Sequence, residues 1–323
     1  MEIVVVGGGS WGTAFARLLR DHGHAVTLAC RDPAQVEAIR ETGHNPRYLT
    51  AIELRGVDAA TVEEAPLGSA NLVVVAVPSA SFGEVVAALP GSAPILSLTK
   101  GLDPTTGDRL SSLVRDRPAA VLSGPNIAEE VARGLPAAAV IACDSLPLAV
   151  QLQLAINSTA FRVYVNDDLV GVELCAAAKN VIALAAGGAD GLGLGDNAKA
   201  ALVTRGLAEM GRLAEVAGAR PETFAGLAGM GDLVATCTSP LSRNRTFGEN
   251  LGRGMTLAEV IAATRQTAEG VKSCESVLDL ARKHDVEMPI TEVVVGVVHD
   301  GMTPSEAAML LMSRTPKPER YGV

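Results

Sequence analysis

The chain has 323 residues, and 27 basic against 36 acidic side chains leave a formal charge of −9. That balance argues against a duplex nucleic-acid or anionic-membrane surface, since both are bound through Lys and Arg that neutralise phosphate; a small anionic substrate needs only local charge and stays open. The length suits about two domains, each able to bury a core, and with 48% hydrophobic but 3% aromatic residues the apolar bulk is Ala, Val and Leu.

The first predicted element is a strand, Ile3–Val6, preceded by neither a basic n-region nor a cleavage site, so no signal peptide is expected. Gly7-Gly8-Gly9-Ser10-Trp11-Gly12 follows it and leads into a predicted helix over Thr13–Leu19. The Gly7-x-Gly9-x-x-Gly12 spacing allows a tight turn, close approach of a pyrophosphate to the backbone, and close helix–strand packing, and it aims the helix N-terminus at the phosphates. The alternative is an ordinary glycine-rich turn.

The second strand, Ala25–Ala29, sharpens the dinucleotide reading. Instead of an acidic residue at its end to accept from a ribose 2′-hydroxyl, the chain has Cys30-Arg31-Asp32. Arg31 can pair with a 2′-phosphate, so NADP(H) is expected to be accepted, alone or beside NAD(H). Otherwise Arg31 is a solvated surface residue and Asp32 caps a helix starting at Pro33.

Further strands are predicted at Leu72–Val77, Pro94–Leu98, Ala119–Leu122, Ala137–Ala142 and Phe161–Val165. Their continuous apolar character suits strands covered on both faces, as in a parallel sheet built from βαβ units. After about Val165 helices take over: Asp168–Ala186, Asn197–Ala217, Thr267–His284, Thr291–Val298 and Pro304–Met312. Gly187–Gly195 reads as a loop, being too rich in glycine to continue a helix. The polar, proline-containing tail Ser313–Arg320 is expected to fray.

No apolar run reaches the roughly 18 uninterrupted residues that span a bilayer, so no membrane insertion is expected; with no signal peptide expected either, the protein is placed in the cytoplasm, and its acidic balance speaks against nucleic acid. Five scattered cysteines and five histidines without ligand spacing support neither a disulfide framework nor a metal site.

The predicted helix around Val172–Ala186 is apolar nearly all round and therefore buried. Lys179 and Asn180 nevertheless sit inside it. Burying an unpaired ammonium is costly or depresses its pKa, so Lys179 either snorkels to solvent or serves as a proton donor and carbonyl polariser.

Gly7–Gly12, Thr99-Lys100-Gly101, Ser123–Ala128, Glu173-Leu174 with Lys179-Asn180-Val181, Asp190–Arg205, Gly229–Leu233 and Ser242–Arg245 occur in one order along the chain. Together they resemble the NAD(P)-dependent glycerol-3-phosphate dehydrogenases of bacterial type. The resemblance implies an α/β N-terminal Rossmann-type dinucleotide-binding domain, residues 1–166, followed by an all-α C-terminal substrate-binding and catalytic domain, residues 167–323. It also implies interconversion of sn-glycerol 3-phosphate and dihydroxyacetone phosphate with NADP(H) or NAD(H), feeding phospholipid synthesis.

By the same resemblance Lys179 is the acid/base. Substrate contacts fall to Lys100, Gly124, Asn126, Asp232, Thr236, Ser242, Arg243 and Asn244. Cofactor contacts fall to Gly7, Gly9, Ser10, Trp11, Gly12, Arg31, Lys100, Ala128, Arg243 and Glu269. The chemistry agrees: ketone reduction needs a hydride and a donor for the developing alkoxide, and Arg243 presents a planar fork for a phosphate. Plainer roles are open too: Asp232 as a helix N-cap, Arg243 as a surface cation, Asn126 as a turn residue after Pro125.

Three positions depart from the family pattern: Gly8 for the usual alanine, Asn126 for Ser or Thr, and Thr267 for an aliphatic residue. Two other readings compete. One is a 3-hydroxyacid or 6-phosphogluconate-type dehydrogenase, against which the Ser242-Arg243-Asn244 segment argues; the other is a non-catalytic dinucleotide sensor. Exposed helical surface in the second half would suit a homodimer.

Overall fold

The computed structural model describes residues 1–264 and 268–316. Thr267 and the end of the predicted tail, from residue 317 on, lie outside them. One eight-stranded sheet is formed by β1 (Glu2–Val6), β2 (Ala25–Cys30), β3 (Val57–Thr61), β4 (Leu72–Val75), β5 (Ile95–Ser97), β6 (Ala119–Ser123), β7 (Ala137–Cys143) and β8 (Phe161–Asn166). Its order is β3-β2-β1-β4-β5-β6-β7-β8.

The strands form because β-branched residues alternate between two buried faces. Ile3 and Val5 join one core with Phe15, Leu19, Val36 and Leu152, whereas Val4 and Val6 join another with Phe82 and Val86. The covering helices are α1 (Ser10–Asp21), α2 (Pro33–Thr42), α3 (Ser79–Ala88), α4 (Ala128–Ala132) and α5 (Leu146–Ile156). Covering both faces explains the continuous apolar runs.

Neighbours from β3 through β6 are parallel, but β7 is antiparallel to β6, so the expectation of a parallel sheet holds for only part of it. The physical reason is the connection: α4 has five residues, about 7.5 Å of helix, too short to carry the chain back along β6 for a parallel crossover. The sequence reading also passes over β3, whose Val57-Asp58-Ala59-Ala60-Thr61 lacks an apolar run because it is an edge strand with Asp58 exposed.

Beyond β8 the chain is helical: α6 (Leu169–Gly191), α7 (Gly195–Val216), α8 (Pro221–Ala225), a π turn (Leu227–Gly231), α9 (Asp232–Thr238), α10 (Arg243–Gly252), α11 (Leu257–Ala263), α12 (Glu269–Lys283), α13 (Pro289–His299) and α14 (Pro304–Met312). The fold is thus a Rossmann-type α/β layer followed by a helical array. The elements from α8 to α11 escape the sequence reading because α8, α9 and α11 are only five to seven residues long and the ten-residue α10 is mostly polar.

The array is organised on α6, whose side chains form the centre of a third core. By length and mean hydropathy (1.7) α6 could cross a bilayer, but 89% of its apolar stretch is buried inside the chain. The predicted loop at Gly187–Gly195 is a misreading: α6 stays helical to Gly191 and only Leu192–Leu194 link it to α7. Its glycines serve helix crossing, not helix termination. A Cβ on Gly187 would lie 1.9 Å from Arg245 O, one on Gly191 2.2 Å from Glu249 O, and one on Gly248 of α10 2.0 Å from Leu184 O. Only backbone fits between these two helices.

Candidate active site

The strand order reverses between β1 and β4, and loops leaving the carboxyl ends of parallel strands on either side of such a point open a crevice. Here a cleft of about 520 Å³ runs from the Gly7–Trp11 loop, past Arg31 and Thr99–Lys100, to the helical side at Lys179, Asp232 and Ser242–Asn244.

At the dinucleotide end, Gly7 has φ +117°, a conformation that favours glycine, and a Cβ there would lie 2.4 Å from Ala76 O. Gly12 packs its Cα against the Gly7 carbonyl, where a Cβ would come within 1.9 Å. Gly9, the N-cap of α1, faces open space. One glycine turns, one packs and one leaves room, so the loop fits a pyrophosphate set on the N-terminus of α1. Trp11 lines the cleft with its buried indole N–H unpartnered among the described residues.

The loop is fixed from behind by three polar side chains that the sequence reading missed. Gln35 Nε2 and Asn45 Nδ2 donate to Gly8 O at 2.7 and 3.0 Å, and Asn45 Nδ2 also donates to Thr13 Oγ1 at 2.8 Å. Gly8 itself is explained: a Cβ there would come 2.4 Å from Cys30 Sγ.

The other end is built on α6. Lys179 is 4% exposed, so it does not snorkel. Its Nζ donates to Asp232 Oδ1 at 2.6 Å and to Thr236 Oγ1 at 2.7 Å. Lys100 Nζ reaches the other carboxylate oxygen, Asp232 Oδ2, at 2.8 Å, along with Asn126 Oδ1 at 2.9 Å and Gly124 O at 3.2 Å. Two ammoniums thus flank one buried carboxylate, leaving one net positive charge.

Asp232 is therefore not a helix N-cap: Gly231 precedes α9, and the carboxylate turns to the lysines. Burial works to raise its pKa, but Lys100 and Lys179 outweigh burial and hold the carboxyl below the ordinary range. Burial lowers Lys179 to about 8, reinforced by Lys100 and opposed by Asp232.

Asn126 is no mere turn residue. Its Oδ1 accepts from Lys100, while its buried Nδ2 has no partner among the described residues and the side chain lines the cleft. Gly124, with φ +138°, lies outside the lining and contributes its carbonyl to Lys100. Ala128 lines the cleft as the first residue of α4.

Ser242 caps α10 by accepting from Arg245 N at 3.3 Å, and Arg243 begins that helix, exposed and in no ion pair among the described residues. Helix N-terminus and guanidinium together suit an anion. Asn244 is occupied in packing: it donates to Asn180 Oδ1 and accepts from Gly270 N, both at 2.9 Å, tying α10 to α6 and α12. Glu269 lines the cleft and accepts from the buried Ser79 Oγ at 3.1 Å, and burial raises its pKa above the usual range. Gly12 lies behind the cleft, and the remaining predicted residues Ser10, Arg31 and Thr236 line it. Thr267 lies outside the described residues. Among the described residues no three His, Cys, Asp or Glu side chains gather as a metal-ligand set.

Comparison with known proteins agrees with this geometry. Residues 2–149 match the family profile for the N-terminus, and residues 168–309 that for the C-terminus, of NAD-dependent glycerol-3-phosphate dehydrogenase. The chain is 54% identical to the glycerol-3-phosphate dehydrogenase (NAD(P)+) of Streptomyces avermitilis, over 99% of this chain and 98% of that protein. It is 53% identical to the corresponding protein of Thermobifida fusca, over 100% and 99%. A crystal structure of the glycerol-3-phosphate dehydrogenase of Coxiella burnetii superposes with a TM-score of 0.93 at 40% identity, covering 97% of this chain and 99% of that one.

Proposed function

The chain belongs to the NAD-dependent glycerol-3-phosphate dehydrogenases, and on that premise we propose how its own residues carry the reaction. It is an oxidoreductase that interconverts sn-glycerol 3-phosphate and dihydroxyacetone phosphate with NAD(P)(H), the phosphate ester serving phospholipid synthesis. The observation that carries the assignment of roles is the Lys179–Asp232–Lys100 cluster at the foot of the cleft that begins at the glycine loop.

When bound, the nicotinamide supplies or accepts the hydride. Lys179 Nζ passes its proton to the substrate oxygen in reduction and takes it back in oxidation. Asp232 orients Lys179 and keeps it from being an unpaired buried charge; Thr236 shares that bond. Lys100 supplies the second positive charge, and Asn126 Nδ2 a free donor for a substrate oxygen. Arg243 and the N-terminus of α10 hold the phosphate, with Ser242 shaping the helix start and Asn244 holding it in place. Gly7, Gly9, Ser10, Trp11, Arg31, Ala128 and Glu269 receive the dinucleotide, with Gly12 behind them letting α1 pack closely on the loop.

The division into a cofactor domain, 1–166, and a substrate domain, 167–323, is part of this proposal; it is supported by β8 ending at Asn166 and by the run of helices that follows. A homodimer is proposed from the exposed Met309, Leu310 and Met312 of α14, and a cytoplasmic setting from five buried free cysteines. The test follows NADPH absorbance with dihydroxyacetone phosphate, 6-phosphogluconate and 3-hydroxyacids. Turnover with dihydroxyacetone phosphate alone is expected; turnover confined to the carboxylates, or cofactor binding with no turnover, would overturn the assignment.

A further inference from the structure

Three charged side chains that follow the second strand or come from the segment after α2, Arg31, Asp32 and Arg47, all line the cleft. Asp32 has both oxygens engaged. Oδ1 caps α2 by accepting from Ala34 N at 3.0 Å, and Oδ2 meets Arg47 Nη2 at 2.5 Å. A carboxylate just past the second strand is where a ribose 2′-hydroxyl would be accepted and a 2′-phosphate repelled. Here it is covered by a cation from another part of the chain.

The backbone that presents Arg47 is fixed to the glycine loop. Arg47 N and Tyr48 N donate to Asn45 Oδ1 at 3.0 and 3.2 Å. Asn45 is fully buried and bonded in turn to Gly8 O and Thr13. The Arg47 side chain, by contrast, is 58% exposed, and an ion pair this open to water holds its partner weakly. A phosphate offers the same guanidinium a bidentate, charge-assisted contact.

Resting on the reading of this cleft as a dinucleotide site, we propose that Arg47 is a specificity residue that, with Arg31, favours a 2′-phosphate and masks Asp32. With Arg47 in place the trio carries one net positive charge and accepts NADPH. Without it, Asp32 is bare beside Arg31 alone: it repels a 2′-phosphate and accepts from a 2′-hydroxyl, so preference turns toward NADH. Asp32→Asn should act in the opposite direction, since an amide keeps the helix cap but loses the charge.

The test measures dissociation constants for NADPH and NADH through the emission of Trp11, the only tryptophan in the sequence and a residue of the cleft wall. In Arg47→Met the ratio of NADPH to NADH affinity is expected to fall about tenfold, the scale of one charge-assisted phosphate contact, with NADH binding nearly unchanged or tighter. In Asp32→Asn the ratio should rise. If the unaltered chain binds neither nucleotide, the dinucleotide reading itself fails. If it binds both but Arg47→Met leaves the ratio within twofold, or weakens both nucleotides equally, Arg47 is a bystander or a merely structural residue and this proposal falls alone.

Discussion

Among single residues, the proposed chemistry rests on an amine, Lys179, that burial has made easier to deprotonate. Removing it in Lys179→Ala should lower kcat by roughly 10²–10⁴-fold, the range for a positioned proton donor, while NADPH binding read from Trp11 emission stays near normal. A near-normal kcat would sink the assigned role. The pH dependence follows from the same amine. Burial, helped by Lys100, brings it down to about 8, so ketone reduction, which needs the protonated form, should lose kcat/KM as pH rises through about 8. Alcohol oxidation, which needs the neutral form, should gain over that interval; measuring both directions checks the sign. The lysine was legible in the sequence because a cation interrupts an apolar helix. Its partner was legible only as a type: nothing local in Gly231-Asp232-Leu233 says that the carboxylate faces two lysines 53 and 132 residues away in the chain.

At the scale of elements, the contacts missed by a local reading are those between helices. Glycine at 187 and 191 carries the same local signal whether it ends a helix or lets two backbones touch, and here the second use wins. A further case is Glu209 on α7, which reaches the start of α13: it accepts from Ile290 N at 2.7 Å and from Thr291 N and Oγ1, each at 3.3 Å. Burial pushes its carboxyl up from 4.5 to about 7, with those donors offsetting only part. A folded-state pKa above the unfolded one means that the native protein holds the proton more tightly. The stabilisation is therefore complete below the unfolded value and is lost as pH rises through about 7. Glu209→Gln cannot lose that proton, so its melting temperature relative to the parent should rise between pH 5 and 8, by an amount worth on the order of a few kcal/mol at most. Parallel melting curves across that range would rule out the titration.

At the scale of the whole molecule, the two halves must hold Lys100 and Lys179 against the same carboxylate. One buried tie does so: Glu173 on α6 accepts from Ser111 N at 2.8 Å, Ser111 Oγ at 2.5 Å and Arg109 Nη1 at 3.0 Å, gripping the 3₁₀ turn Leu110–Leu113 that follows the Lys100 loop. Glu173→Ala leaves those donors unpaired and is expected to cost about 3 kcal/mol and to raise KM for dihydroxyacetone phosphate more than the dissociation constant for NADPH. Glu173→Gln, which keeps an acceptor, should recover much of the loss; an alanine variant with unchanged melting and KM would show the tie to be idle.

Spacings of a few residues were enough to read the glycine loop, the alternation of apolar strands with helices giving way to helices alone, the apolar α6 and the lysine inside it, whereas β3 and α8 to α11 carry no such local signal. Tertiary structure alone decided the reversal of β7, the glycine crossing of α6 and α10, the charge cluster around Asp232 and the pairing of Arg47 with Asp32. Those depend on which distant segments meet, and the free energy of such a meeting resides in burial and charge neutralisation between them, which neither segment carries alone.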